Sequence, residues 1–212
     1  MAPDSITVPS VKREVSAPLE RLVRFCDSEY AYYDGIPSAN PNAIEPIDVL
    51  VTAAMNSSIR SAQQMRRIHQ GMAAACDRLL EAIPRDASLP SFDPTLGVVR
   101  ELLHAAIQVP GVLTPVATKV LHRKRPALIP MLDNVLLWHY LEGKRWGETQ
   151  AKAQAAAVAV DALAMFKEDL ASCYEQLLGL SMDLARRGYP LTPVRMLEIL
   201  VWTESEERGY YR

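Results

Sequence analysis

The sequence predicts an all-α chain, and three observations carry that expectation. Apolar residues recur at three- and four-residue spacing over long stretches. Ser, Asp or Thr, followed closely by Pro, stands where several of those stretches begin. No run alternates apolar and polar residues in the way a half-buried strand requires. Nothing repeats at a period of about 20–50 residues, and no linker is long enough to separate independent domains. A compact bundle of roughly eight to ten helices is therefore expected over 16–212, bilobal at most. Residues 1–15 read as a flexible N-terminal segment.

The elements follow in order. Ser16 and Pro18 open a helix over 16–33 that gathers Leu19, Leu22, Val23 and Phe25 on one side. The turn-rich loop from Asn40 to Pro46 leads into a short apolar helix from Ile47 to Ser58. Ser61 begins a longer one, with Met65, Ile68, Met72, Cys76, Leu79 and Leu80 at helical spacing, and Pro84 to Pro90 break it. Asp93 and Pro94 form a cap and a first helical residue; Leu96, Val99, Leu103 and Ala106 then line one face, and that helix ends near Val109. Another helix begins near Thr114 and a further one at Asp133. An alanine-rich helix follows, its composition explained by helix propensity alone. Ser181 starts a short helix. Thr192 and Pro193 cap the last one, which turns Val194, Leu197, Leu200 and Val201 inward.

Composition narrows the function classes. Of the 212 residues, 49% are hydrophobic, which marks a globular chain and not a disordered tail. No apolar run approaches the roughly 18–20 residues that cross a bilayer, and MAPDSITVPSVKRE lacks the apolar middle of a secretion signal. A cytoplasmic, membrane-free protein is expected. Cys26, Cys76 and Cys173 are odd in number and far apart, so they offer neither a disulfide framework nor a CxxC site. His69, His104, His122 and His139 show no ligand spacing, and no metal or other cofactor is expected.

The net charge of -2 argues against a protein that coats nucleic acid through bulk positive charge. Its distribution is more informative. Between Glu101 and Asp133 no acidic residue occurs, yet Lys119, Arg123, Lys124 and Arg125 fall there, with His122 among them. Pro110-Gly111 just upstream supplies the positive-φ turn that a tight helix-helix connection demands. N–H groups at the start of the following helix, from Gly111 and Val112 to Thr114, have no partner within it and are ready to receive an anion. On that helix Val116, Val120 and Leu121 are expected to pack inward, while Lys119 and Arg123 share the opposite face. Such a face would follow a phosphate backbone. The plainer reading is a solvated helix end, where cations favour the C-terminal turn.

PGVLTPVATKVL resembles the helix-hairpin-helix element that binds DNA phosphates, and the likeness extends to the helix-hairpin-helix DNA glycosylases. Pro110, Gly111 and Val112 stand in the hairpin, within an element at about 95–125, and Ala117 at the helix alanine. Pro130-Met131-Leu132-Asp133 falls where that superfamily has its Pro-x-x-Asp. The resemblance implies that Asp133 is the catalytic carboxylate, stabilising the oxocarbenium character that builds on the sugar as an N-glycosidic bond breaks. It implies also that the target nucleotide is flipped from the strand. Two positions depart from the pattern. Leu113 replaces the second hairpin glycine, and Pro115 stands where bifunctional members carry a Schiff-base lysine. A monofunctional, metal-free reaction is thus the one implied. More broadly, LHRKRPALIPMLD, the YYD near residue 32 and the closing PVRMLEILVW are similar to uncharacterised bacterial proteins annotated only as a domain of unknown function.

Other residues carry two readings. Asp133 is also a good N-cap for DNVLLWHYLEGKRW, and the two roles are compatible. Tyr32 and Tyr33 are candidates for stacking an extruded base, or else packing residues. Trp138 and Trp202 read as core or lobe-interface residues. His139 lies on the helix of Asp133 without being expected to share its direction. The function expected is nucleic-acid binding, DNA before RNA, with hydrolysis of an N-glycosidic bond by Asp133. The alternative is a non-catalytic nucleic-acid-binding or protein-interaction module on the same scaffold.

Overall fold

The computed structural model describes residues 3–55, 57–93, 97–141, 152–207 and 209. Among them stand eight α-helices, three single-turn 3-10 helices and one small hairpin. The chain is mainly all-α, as its apolar periodicity predicts.

The hairpin is the correction. Strands β1 (Ser5–Val8) and β2 (Arg13–Ser16) pair antiparallel, with Ile6 opposite Val15. Where a flexible N-terminal segment was expected, Ile6, Val8, Val11 and Val15 are wholly enclosed. Ile6 and Val8 do alternate with polar neighbours, but a strand of four residues is too short to stand out from its turn. Burying such side chains contributes about 1.5–3 kcal/mol each, which steadies a hairpin that would be marginal alone. Polar atoms latch it as well. The Ser10 N–H donates to Asp169 Oδ1 at 3.0 Å, and its hydroxyl donates to Asp169 Oδ2. Ser10 Oγ also lies 2.8 Å from His139 Nε2, so this histidine engages the hairpin.

Helix α1 (Pro18–Glu29) stops short of residue 33 and passes into a 3-10 turn, Tyr30–Tyr32. In α2 (Pro46–Ala54), Glu45 and Asp48 form a reciprocal capping box. The start of α3 (Ala62–Glu81) is the one its cap predicts: Ser61 Oγ accepts the Gln64 N–H at 3.2 Å, and Ile68, Met72, Cys76 and Leu80 are enclosed. Helix α4 (Val98–Gln108) buries Val99, Leu103 and Ala106, while Pro94 and Leu96 lie outside the described residues. After the turn come α5 (Thr114–Lys124) and α6 (Asn134–Tyr140). The break expected at Ser181 does not occur. Helix α7 (Lys152–Arg186) runs through it, because Leu177, Leu180 and Leu184 continue one enclosed stripe. Helix α8 (Pro193–Glu207) begins where Thr192 Oγ1 accepts the Arg195 N–H at 3.2 Å.

Helix α7 runs beside α4, α8 and the β1 strand, and α5 packs against α2, α4 and α7. Every residue of α5 from Val116 to Lys124 is buried, so this helix is the centre of the bundle and not a face of it. Cys26, Cys76 and Cys173 are buried and free. Burial pushes each thiol up to about 12, leaving it a packing residue without thiolate reactivity at neutral pH.

Candidate functional site

The basic run of α5 faces inward, which overturns the expectation of an exposed cationic face. Arg125 is 0% exposed. Its guanidinium donates to the carbonyls of Leu80 at 2.5 Å, Ile83 at 2.6 Å and Pro41 at 2.6 Å, and to Asn42 Oδ1 at 2.9 Å. Leu80 is in the last turn of α3 and Ile83 lies two residues past its end, where carbonyls lack partners along the helix and the dipole is negative. Arg123 Nε meets Asp48 Oδ1 at 3.0 Å and donates also to the carbonyls of Ile36 and Pro37. Lys124 Nζ contacts Asp48 Oδ2, Ser38 Oγ and the Asn40 carbonyl. His122 is buried with Nδ1 donating to the Ile129 carbonyl at 2.7 Å, and burial drives its imidazole down to about 4. None of these four can lie on a phosphate while holding these partners. The counter-charge of Arg123 and Lys124 comes from Asp48, far along the chain, which is why the run looks unpaired when read alone.

Lys119 differs from its neighbours on the run, because it lines a cavity. That cavity measures about 720 Å³ and is bounded by α1, the end of α2, the start of α5, the start of α6 and α8. Apolar and aromatic walls come from Phe25, Met131, Val116, Ile199 and Trp202. Phe25 and Trp202 meet edge to face, 6.4 Å between ring centres at 73°. Four basic and five acidic side chains also line it, including Asp133.

Asp133 has the geometry of a positioned carboxylate. As N-cap of α6 it accepts the N–H of Val135 at 2.9 Å and of Leu136 at 3.0 Å, both on Oδ1. Among the described residues Oδ2 has no hydrogen bond. Burial raises its carboxyl above the usual range, against the pull of the Leu136 and Val135 N–H groups and of Lys119. Lys119 Nζ donates to the Met55 carbonyl at 2.5 Å, at the C-terminal end of α2. Burial lowers its ammonium, and the nearby Asp133 and Glu198 oppose that.

Behind these two lies an ionic group that no motif announced. Arg195 is enclosed and donates to Asp34 from Nε and Nη2, each at 3.0 Å, and to Glu198 Oε1 from Nη1. Glu198 Oε2 in turn accepts the Met131 N–H at 2.9 Å, fixing the backbone two residues before Asp133. Burial drives the Glu198 carboxyl up, and Arg195 pulls the other way. Arg195 lies 5.1 Å over the Phe25 ring. Charged residues three apart inside the apolar run VRMLEILV are the sequence trace of such a buried pair.

The remaining candidates disperse. Gly111 is exposed at φ 84°, as a tight turn needs, whereas Val112 and Thr114 are enclosed. Leu113 and Pro115, the two departures from the glycosylase pattern, line the cavity. The stacking role expected of Tyr32 and Tyr33 is not supported by their positions. Tyr32 is 63% exposed and does not line the cavity. Tyr33 is 1% exposed, donates its hydroxyl to the Lys119 carbonyl at 2.6 Å, and lies under Arg123 and Arg195. The aromatic walls are Phe25 and Trp202, read from the sequence as helix packing.

The chain belongs to a family of unknown function, DUF6308, whose model matches residues 19–205. No curated protein and no solved structure matches it. The match spans α1 to the last turns of α8, and so includes Asp133, Lys119, Arg195 and Glu198.

Proposed function

We propose that this family member binds a nucleoside unit in the cavity and hydrolyses its N-glycosidic bond, with Asp133 as the working carboxylate. The observation that supports the reading most is the division of labour within that one side chain. Oδ1 is held by two backbone N–H groups, which fixes the carboxylate, and Oδ2 is left uncommitted on the wall of a cavity with aromatic sides. A carboxylate fixed before the reaction stabilises a developing sugar cation without reorganising. One whose proton affinity is raised is also the better base toward an attacking water. Water then adds to the sugar carbon, the carbon–nitrogen bond breaks and the base leaves with a proton. Phe25 and Trp202 supply the apolar surface for a planar base. A DNA strand presenting such a unit passes the exposed Pro110-Gly111 turn and Arg24 on the cavity rim, not the enclosed run 122–125.

The test is a panel of duplexes and free nucleosides with modified bases, scored for released base and abasic sites. Release by the wild type and none by Asp133→Asn, with binding retained, is the expected result; equal release by that variant overturns the assignment. Arg24→Ala should reduce the slope of log affinity for DNA against log salt by about one.

A second reading is a non-catalytic binding module, and the lining charge favours it. Five acidic against four basic side chains suit an uncharged ligand better than a polyanion. Saturable binding of nucleosides without release of base from any substrate would select it.

A further inference from the structure

Two buried lysines share α5, and their surroundings differ. Lys124 Nζ is surrounded by three acceptors, one of them the Asp48 carboxylate. Lys119 is 6% exposed and donates to the Met55 carbonyl alone, with no carboxylate in contact among the described residues. Yet Lys119 is a lysine on the cavity wall that Asp133 also lines, and the Asp133 charge acts on it. An ammonium buried without a contacting counter-ion is costly, and the arrangement favours the amine form.

We propose that Lys119 is a carbonyl-capturing amine, condensing with an uncharged aldehyde held in this cavity. The neutral Nζ attacks the carbonyl carbon; a carbon–nitrogen bond forms, the π pair moves to oxygen, and the oxygen takes up the proton that the nitrogen gives up. The carbinolamine then loses its hydroxyl as water, using a proton from the Asp133 carboxyl, and an iminium on Nζ remains. One water is released and nothing is oxidised or reduced. Burial lowers the Lys119 ammonium toward the reactive form. The iminium carries a single positive charge, which the Asp133 and Glu198 carboxylates favour. The aldehyde is uncharged because the acidic majority on the walls repels anions, and its body is flat and apolar because Phe25, Trp202, Met131 and Ile199 form its bed. This goes beyond the N-glycosidase reading, and its test involves no nucleoside.

The test treats the intact chain with benzaldehyde and cyanoborohydride at neutral pH, then maps the modified peptides over the six lysines of the chain. Lys119 should be alkylated first, about tenfold faster than the exposed Lys12. Asp133→Asn should slow that reaction several-fold, and Lys119→Arg should remove the fast addition. The anionic 4-formylbenzoate should react more slowly at Lys119 than benzaldehyde does. Alkylation of Lys12 with Lys119 untouched in the wild-type chain overturns the proposal, whether or not any variant folds. Equal rates for the two aldehydes at Lys119 overturn the cavity as the source of selectivity.

Discussion

The C-terminal half of α5 and the cavity wall hold the same kinds of charged group but complete them differently. In the first, Arg123, Lys124 and Arg125 find a carboxylate or several carbonyls each, most of them from distant parts of the chain. In the second, Asp133 Oδ2 has no hydrogen-bond partner and Lys119 Nζ has only the Met55 carbonyl among the described residues. The difference separates charges that build the fold from charges available to a ligand. Sequence proximity does not make that separation, since Lys119 and Arg123 are neighbours on one helix.

Breaking the completed half should have the largest effect. Asp48→Asn leaves Arg123 and Lys124 enclosed without counter-charge and should cost about 3–5 kcal/mol in urea unfolding. High salt should not rescue it, because buried pairs are poorly screened. Arg125→Met fills similar volume but strands the carbonyls that close α3, for a loss of about 3 kcal/mol. An unchanged midpoint for either variant would mean that the run is not the anchor its contacts describe.

His122 gives the completed half a pH signature. Its folded value, about 4, lies below the unfolded 6.5. Below pH 6.5 the unfolded chain therefore takes up a proton that the folded one refuses. Stability should fall by roughly 3 kcal/mol as pH drops from about 6.5 toward 4, and level off below that. Glu198, raised by burial, acts in the opposite sense over part of that range, so the quantity to compare is the wild type against His122→Gln at pH 7 and pH 4.5. The variant should lose the His122 contribution; parallel pH profiles would contradict it.

The cavity half should respond least in stability and most in chemistry. Asp133→Ala removes the cap of α6 and should cost about 1 kcal/mol, while Asp133→Asn, itself a good cap, should cost only a few tenths. If both unfold at the wild-type midpoint, the helix does not depend on Oδ1, and the division between the two oxygens loses its basis.

Much of this fold was legible because its causes are local. Ser61 and Thr192 are caps whose N–H donors lie three residues on, and the stripe from Ile68 to Leu80 follows from helical geometry alone. Asp133 as a cap was legible for the same reason. The hairpin at 5–16 was missed because two four-residue strands carry too little pattern. The continuity of α7 was missed because Ser181 resembles a cap, while Leu180 and Leu184 had already extended the stripe. At the site, Lys119 and Asp133 were read from the sequence, but Arg195, Glu198, Asp34 and the aromatic pair Phe25 and Trp202 were not.

The sequence by itself determined where helices start, which of their faces are apolar, and that one aspartate heads α6. Only the tertiary structure decided what the basic run is for. A charged side chain is buried or exposed according to the acceptors that reach it, and here those are Asp48 and the carbonyl ends of α2 and α3. They and the loop carbonyls of Ile36 and Pro41 arrive from 42 to 87 residues away along the chain, a distance over which helical periodicity carries no information.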